Sequence, residues 1–250
     1  MPSDLSTAFF VLWLIVAVTF SYATYWAFTI RRVLVHRLYR RQATWVGRMG
    51  VYFVALSSFL TLALSTGVNS LYVNVVGGLL IGSGFIVIFA WMDSTIRVAR
   101  LSDPLFRDTL RWSKLRYFLG FGTIGGAFAS VISAIMSGFS QVAPFGGALF
   151  LGAFALLISA SRSGDITLKK HLTWTGLCPF FLWLGSQVQM PLSRIQFLVQ
   201  LNLPDVITYV FVAAGAYSLY RSAKSLVPLG HVSIADSTEP AVVQPIVLTS

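Results

Sequence analysis

Three acids stand close to arginines near the middle of this 250-residue chain: Asp93, Asp103 and Asp108. Carboxylates gathered in one place can hold a divalent metal or move a proton, and an ionisable side chain inside an apolar segment is a functional suspect. Asp93 stands at the inner end of the third apolar run, and Arg97 follows it by four residues, a spacing that permits an ion pair along one helix face. Arg97 and Arg100 also suit the C-terminal turn of a helix, where cations are favoured. Asp93 therefore reads as a structural pair, as a proton or cation site, or as a contact to the loop that follows. Asp103 stands before Pro104 as a helix cap would, and Asp108 can pair with Arg107 or Arg111. The spacing of the three acids matches no two-metal site, so catalysis is not expected of them.

A second group of polar residues falls at the far ends of the apolar runs: Asn69, Asn74, Gln141, Gln187, Gln189, Arg194 and Asp205. They read as ordinary interfacial polarity or as the mouth of a ligand vestibule, with Arg194 and Asp205 able to pair across it. His36, His171 and His231 have no partner at the spacing of a helical metal site. Cys178 has no adjacent base, and Pro179 follows it, so the pair reads as a helix distortion rather than a nucleophile. There is no nucleophile elbow, phosphate-binding glycine loop or zinc-protease motif. No catalytic residue, cofactor or metal is expected.

The elements that carry these residues follow from solvent. Apolar residues make up 56% of the chain and charged residues 10%, against about a quarter charged in soluble domains. A water-soluble fold of this size has nowhere to hide so much apolar surface. Seven segments approach the roughly 20 apolar residues of a spanning helix: Ala8–Ile30, Met49–Thr66, Leu71–Met92, Phe118–Phe139, Val142–Ala160, Leu172–Met190 and Pro204–Tyr220. The expected fold is an all-α integral membrane protein, a seven-transmembrane-helix bundle.

Charge sets its orientation. The net charge of +10 resides in short connections: Arg31, Arg32, Arg37, Arg40, Arg41 and Arg48 in the first, Arg97 to Arg116 in the third, Arg162, Lys169 and Lys170 in the fifth, and Arg221 and Lys224 after the seventh segment. Every Lys and Arg but Arg194 thus falls on alternate connections of one face. The positive-inside rule puts that face in the cytoplasm, with the N-terminus outside and the C-terminus cytoplasmic. The same distribution points the basic residues at anionic lipid head groups, or at a protein partner on the inner face, and away from nucleic acid. A prokaryotic cell membrane is the expected location.

Ser102-Asp103-Pro104 opens an amphipathic inner helix over about 104–116, with Arg107, Arg111 and Lys114 on one side. Residues 1–224 form the transmembrane domain and 225–250 a flexible cytoplasmic tail in this reading. Small residues mark helix packing: Gly78 and Gly82, Gly122 and Gly126, and Gly152. No segment holds a lysine, which excludes the Schiff base of a microbial rhodopsin. The first segment has no proline, unlike the matching triads of small sugar transporters. The function expected is that of a non-enzymatic membrane sensor or accessory subunit working through protein partners. The alternative is a small-solute or ion transporter with a path past Asn74, Gln187, Ser57, Ser58 and Asp93.

Overall fold

The apolar runs fold as helices, and each helix outlasts its run. The computed structural model describes residues 3–66, 71–102, 153–154, 156–192 and 203–237, with residue pairs at 124–125, 128–129 and 131–132. Among these the chain is all-helical, with no strand. The long helices are α1 (Ser3–Val33), α2 (Arg37–Thr66), α3 (Leu71–Ser102), α4 (Ile166–Leu192) and α5 (Leu203–Ser237), and a shorter helical stretch at 156–162 precedes α4. The amphipathic helix over 104–116 and most of segments 118–139 and 142–160 lie outside the described residues.

At 27 to 35 residues, the long helices span about 40 to 52 Å at about 1.5 Å per residue, well beyond a hydrocarbon core of about 30 Å. This revises two boundaries. The first basic connection is almost entirely helical: Arg31 and Arg32 belong to α1, while Arg37, Arg40, Arg41 and Arg48 belong to α2. Hydropathy falls where arginines begin, but arginine is a good helix former and the backbone ladder continues through it. The turn that remains is tied by its own side chains. His36 Nδ1 accepts from the Leu38 amide at 3.2 Å, and Arg40 Nε donates to the Leu34 carbonyl at 2.5 Å.

The second revision concerns the end of the transmembrane domain. The boundary placed at 225 falls inside α5, which continues through Pro228 to Ser237. Leu226 and Leu229 are buried and hold this extension against the bundle. Residues 238–250 lie outside the described part. At the start of α4, Asp165 is the cap: its Oδ1 accepts the Thr167 amide at 2.8 Å.

α1 packs against α2 and α5, α2 against α3, and α4 most extensively against α5. Glycine permits the closest approaches. A Cβ at Gly50 would collide with Thr24 Oγ1 and lie 3.1 Å from the Phe20 carbonyl of α1. One at Gly215 would lie 3.3 Å from the Cys178 carbonyl of α4. Gly78 and Gly82 are buried on α3, whereas Gly122, Gly126 and Gly152 lie outside the described residues.

The interior is apolar, with Phe20, Tyr39, Met49, Trp91, Leu172 and Leu226 fully buried. The outside is apolar too. Phe10, Leu14, Val18, Tyr22 and Tyr25 form an exposed stripe along α1, and Tyr72, Val76, Leu79 and Ile86 one along α3. Two of the described helices, over Phe10–Val33 and Tyr72–Ser102, are long and apolar enough to cross a membrane.

Candidate functional site

Contacts between helices bring the basic residues to one end of the bundle. Tyr39 Oη lies 2.9 Å from Ser102 Oγ, joining the start of α2 to the end of α3. Trp26 packs edge-on to Tyr220, joining the last two turns of α1 to the middle of α5. His171 Nδ1 meets Ser225 Oγ at 2.8 Å, joining the start of α4 to the second half of α5, which runs on past this level to Ser237. The five long helices thus alternate in direction where they neighbour in sequence, and Arg31, Arg37, Arg100, Lys169 and Lys224 share one rim.

Just beneath that rim run two polar seams. Between α2 and α3, Gln42 Nε2 donates to Thr95 Oγ1 at 2.6 Å, and Thr95 Oγ1 donates onward to the Trp91 carbonyl at 2.9 Å. Gln42 is fully buried, and its Oε1 has no partner among the described residues. Two residues to either side of Thr95 on α3, the Asp93–Arg97 pair forms as the i,i+4 spacing allows, with Arg97 Nε 2.9 Å from Asp93 Oδ2. The Asp93 side chain is 6% exposed and that of Arg97 36%, so the cation reaches outward from a buried carboxylate.

Between α4 and α5 lies the second seam. Thr175 Oγ1 and Ser222 Oγ are 2.6 Å apart. Ser225 Oγ donates to the Ser222 carbonyl at 2.7 Å, which leaves it free to accept from His171 Nδ1. The Nδ1–H tautomer follows, and Nε2 is a bare, buried lone pair without a partner among the described residues. His171 precedes the apolar segment Leu172–Met190. Burial pushes its imidazole down to about 4, against a smaller upward pull from the Ser222 carbonyl.

Aromatic rings mark the same level of the bundle. Tyr22, Trp26, Trp174, Tyr217 and Tyr220 form a chain of ring contacts across α1, α5 and α4. The Arg221 guanidinium lies 4.8 Å over the Trp174 ring, and Arg48 lies 4.6 Å over Trp45.

Of the residues singled out from sequence, Asp93 and Arg97 come together. Asp103, Asp108 and Arg194 lie outside the described residues. Gln187 falls in α4 and Asp205 in the first turn of α5, with side chains outside the described ones. Of the transport-path candidates, Ser57 and Ser58 both donate to the Val54 carbonyl of their own helix, and Ser58 also accepts from Trp13 Nε1. Among the described residues, no three His, Cys, Asp or Glu side chains converge as metal ligands.

Of the seam residues, His171 was weighed from sequence only as a metal ligand, and Gln42, Thr95, Thr175, Ser222 and Ser225 were not picked out. Their spacing was visible: His171 and Thr175 are four apart, and Ser218, Ser222 and Ser225 fall on one face of α5. Chemically these seams are adhesive, since each described hydroxyl is spent on a neighbouring helix or on its own backbone. Comparison with protein-family models, with characterised proteins and with solved structures finds no match for the chain.

Proposed function

We propose that the chain is a seven-helix integral membrane protein, N-terminus outside and C-terminus in the cytoplasm. In this reading it performs no enzymatic chemistry and acts as a membrane sensor or accessory subunit through protein partners at its basic inner rim. The observation that carries the membrane reading is that the bundle is apolar on both sides of its helices. Stripes such as Phe10–Leu14–Val18 face outward at 44 to 60% exposure while the core behind them is also apolar. Exposed apolar surface on that scale marks contact with lipid or protein. Helical hydroxyls support the same reading. Thr29, Thr44, Thr95, Ser102, Thr173, Thr175 and Ser218 each donate to a carbonyl one turn back, as side chains must where water is absent. The aromatic chain beneath the cationic rim has the placement of an interfacial belt.

The partner reading is supported by where charge is left over. The seam hydroxyls of Thr95, Thr175, Ser222 and Ser225 are bonded within the bundle, whereas the rim presents exposed cations such as Arg31, Arg37, Arg100, Lys169 and Lys224. The bonding of Ser57, Ser58 and Asp93 within or beside their own helices weighs against a transport path past them.

The test is affinity purification of the full chain from native membranes in mild detergent, followed by intact-complex mass spectrometry. A stoichiometric protein partner released by high salt is the expected result. A chain recovered alone or only with copies of itself sinks the partner reading, and a chain recovered from the soluble fraction sinks the membrane reading.

A further inference from the structure

A cleft of about 290 Å³ opens between α4 and α5 at the basic rim, and we propose that it holds the phosphate of an anionic lipid head group. It is lined by Thr167, Lys170 and Trp174 from α4 and by Arg221, Lys224, Ser225 and Pro228 from α5. These are two facing helical stripes, one spaced by three and four residues and the other by three, one and three. Lys170, Arg221 and Lys224 contribute three cations to one concavity, and none of them pairs with a carboxylate among the described residues. Asp165, the acid nearest along α4, is occupied as that helix's cap.

The cations are not equivalent. Arg221 is fixed: its guanidinium rests 4.8 Å over Trp174 and donates to Tyr217 Oη at 3.2 Å. Only part of its donor fork is used, so N–H groups remain for an acceptor. Lys170 and Lys224 are exposed and can close on a phosphate from either wall. Thr167 adds a hydroxyl, whereas the Ser225 proton is already given to the Ser222 carbonyl. Ser225 is itself held by the His171 seam, so that wall of the cleft is rigid. A planar arginine fork with two mobile ammonium groups matches a phosphate better than a carboxylate, because a phosphate offers more acceptor oxygens than one fork can use.

Free phosphate would satisfy the same cations. The position of the cleft selects the lipid. Trp174 and Tyr217 belong to the aromatic chain across α1, α5 and α4, and outward-facing Val206, Val210 and Tyr217 run along α5 away from the cleft. An acyl chain can follow that apolar stripe while the head group stays among the cations.

The inference rests on the membrane reading above, and the test separates the two. The full chain in detergent is titrated with phosphatidylglycerol and with phosphatidylcholine of matched acyl chains, and retained lipid is counted by native mass spectrometry. Wild type is expected to retain the anionic lipid several-fold over the zwitterionic one. The Lys170→Gln/Lys224→Gln pair should bring that ratio close to one. Arg31→Gln/Arg32→Gln removes the same charge from exposed positions of α1 and should leave it unchanged. Equal loss in both pairs, or no preference in wild type, overturns the site while leaving a membrane-embedded chain intact. Displacement of the lipid by excess inorganic phosphate would make the cleft a free-phosphate site and overturn the lipid assignment. Failure of the chain to fractionate with membranes overturns the underlying reading instead.

Discussion

Gln42 and Thr95 show how unevenly a single buried bond can weigh on stability. Thr95 keeps its bond to the Trp91 carbonyl whatever Gln42 does, whereas Gln42 has Thr95 as the partner of its amide nitrogen and none for its oxygen among the described residues. Gln42→Leu, which keeps most of the volume, is therefore expected to be close to neutral. Thr95→Val leaves both ends of a buried amide unmet and should cost about 1 to 3 kcal/mol. The double variant should return towards Gln42→Leu. Reversible unfolding in detergent reads all three, and a Gln42→Leu variant less stable than Thr95→Val would contradict the assignment. His171 supplies a pH dependence of definite sign. Its folded pKa of about 4 lies below its ordinary 6.5, so the unfolded chain binds the proton more readily. Its contribution is complete above about pH 6.5 and is lost as pH falls from there towards 4, by roughly 3 kcal/mol in all. Melting temperatures measured across that window should fall for wild type and flatten in His171→Asn. An identical slope in both proteins would remove His171 as the cause.

At the scale of helices, approach distance is set by glycines that the sequence did not single out. Gly50 has no room for a methyl group, because the atoms it would meet include the Phe20 carbonyl of α1, and a backbone cannot step aside as a side chain can. Gly50→Ala should destabilise the folded protein by about 1 to 3 kcal/mol, the cost of overpacking against Thr24 and the Phe20 carbonyl. Gly164→Ala meets nothing within 4 Å and should be neutral or slightly stabilising. Equal behaviour of the two would mean that α1 and α2 are not packed through this position. Gly78 and Gly82 were legible because they stand four apart in an apolar run, a pattern that repeats and can be recognised. Gly47 and Gly50 stand beside Arg48, and the charge masks a packing motif. Helix existence was likewise legible while helix ends were not. Hydropathy falls at Ile30 and Tyr220, but the helical backbone runs on to Val33, before the His36 turn, and to Ser237. The polar seams were hidden for a related reason. Serine and threonine are common in membrane helices and usually bond their own backbone, so only three-dimensional adjacency distinguishes Ser222, which meets Thr175, from Ser218, whose hydroxyl donates to the Ala214 carbonyl.

For the whole molecule, the open choice is between seven crossings and the two made by the most apolar helices, Phe10–Val33 and Tyr72–Ser102. Two crossings would leave α2 and α5 on one side of the membrane beside helices that pass through it. That arrangement strains against the packing. α1 lies along α2 from Trp13–Ser58 at one end to Thr24–Gly47 towards the other, so most of α2 sits at the depth of α1. α5 lies against α1 through Tyr22 and Trp26. Cysteine labelling decides the matter, and the native chain provides a clean background because Cys178, its single cysteine, is buried. Val35 is 67% exposed in the α1–α2 turn, Asn69 lies in the connection before α3, and Ser161 is exposed beside Arg162. Seven crossings put Val35→Cys inside, Asn69→Cys outside and Ser161→Cys inside. A membrane-impermeant maleimide should then label only Asn69→Cys in intact cells, and all three after permeabilisation. With two crossings, α2 does not traverse the bilayer, and Val35→Cys and Asn69→Cys must label together whichever way the protein is inserted. The comparison of positions 35 and 69 is therefore the informative one. Matched labelling there would leave α2 a surface helix and withdraw the cationic rim from a single cytoplasmic face, and with it the orientation on which a partner at that face depends.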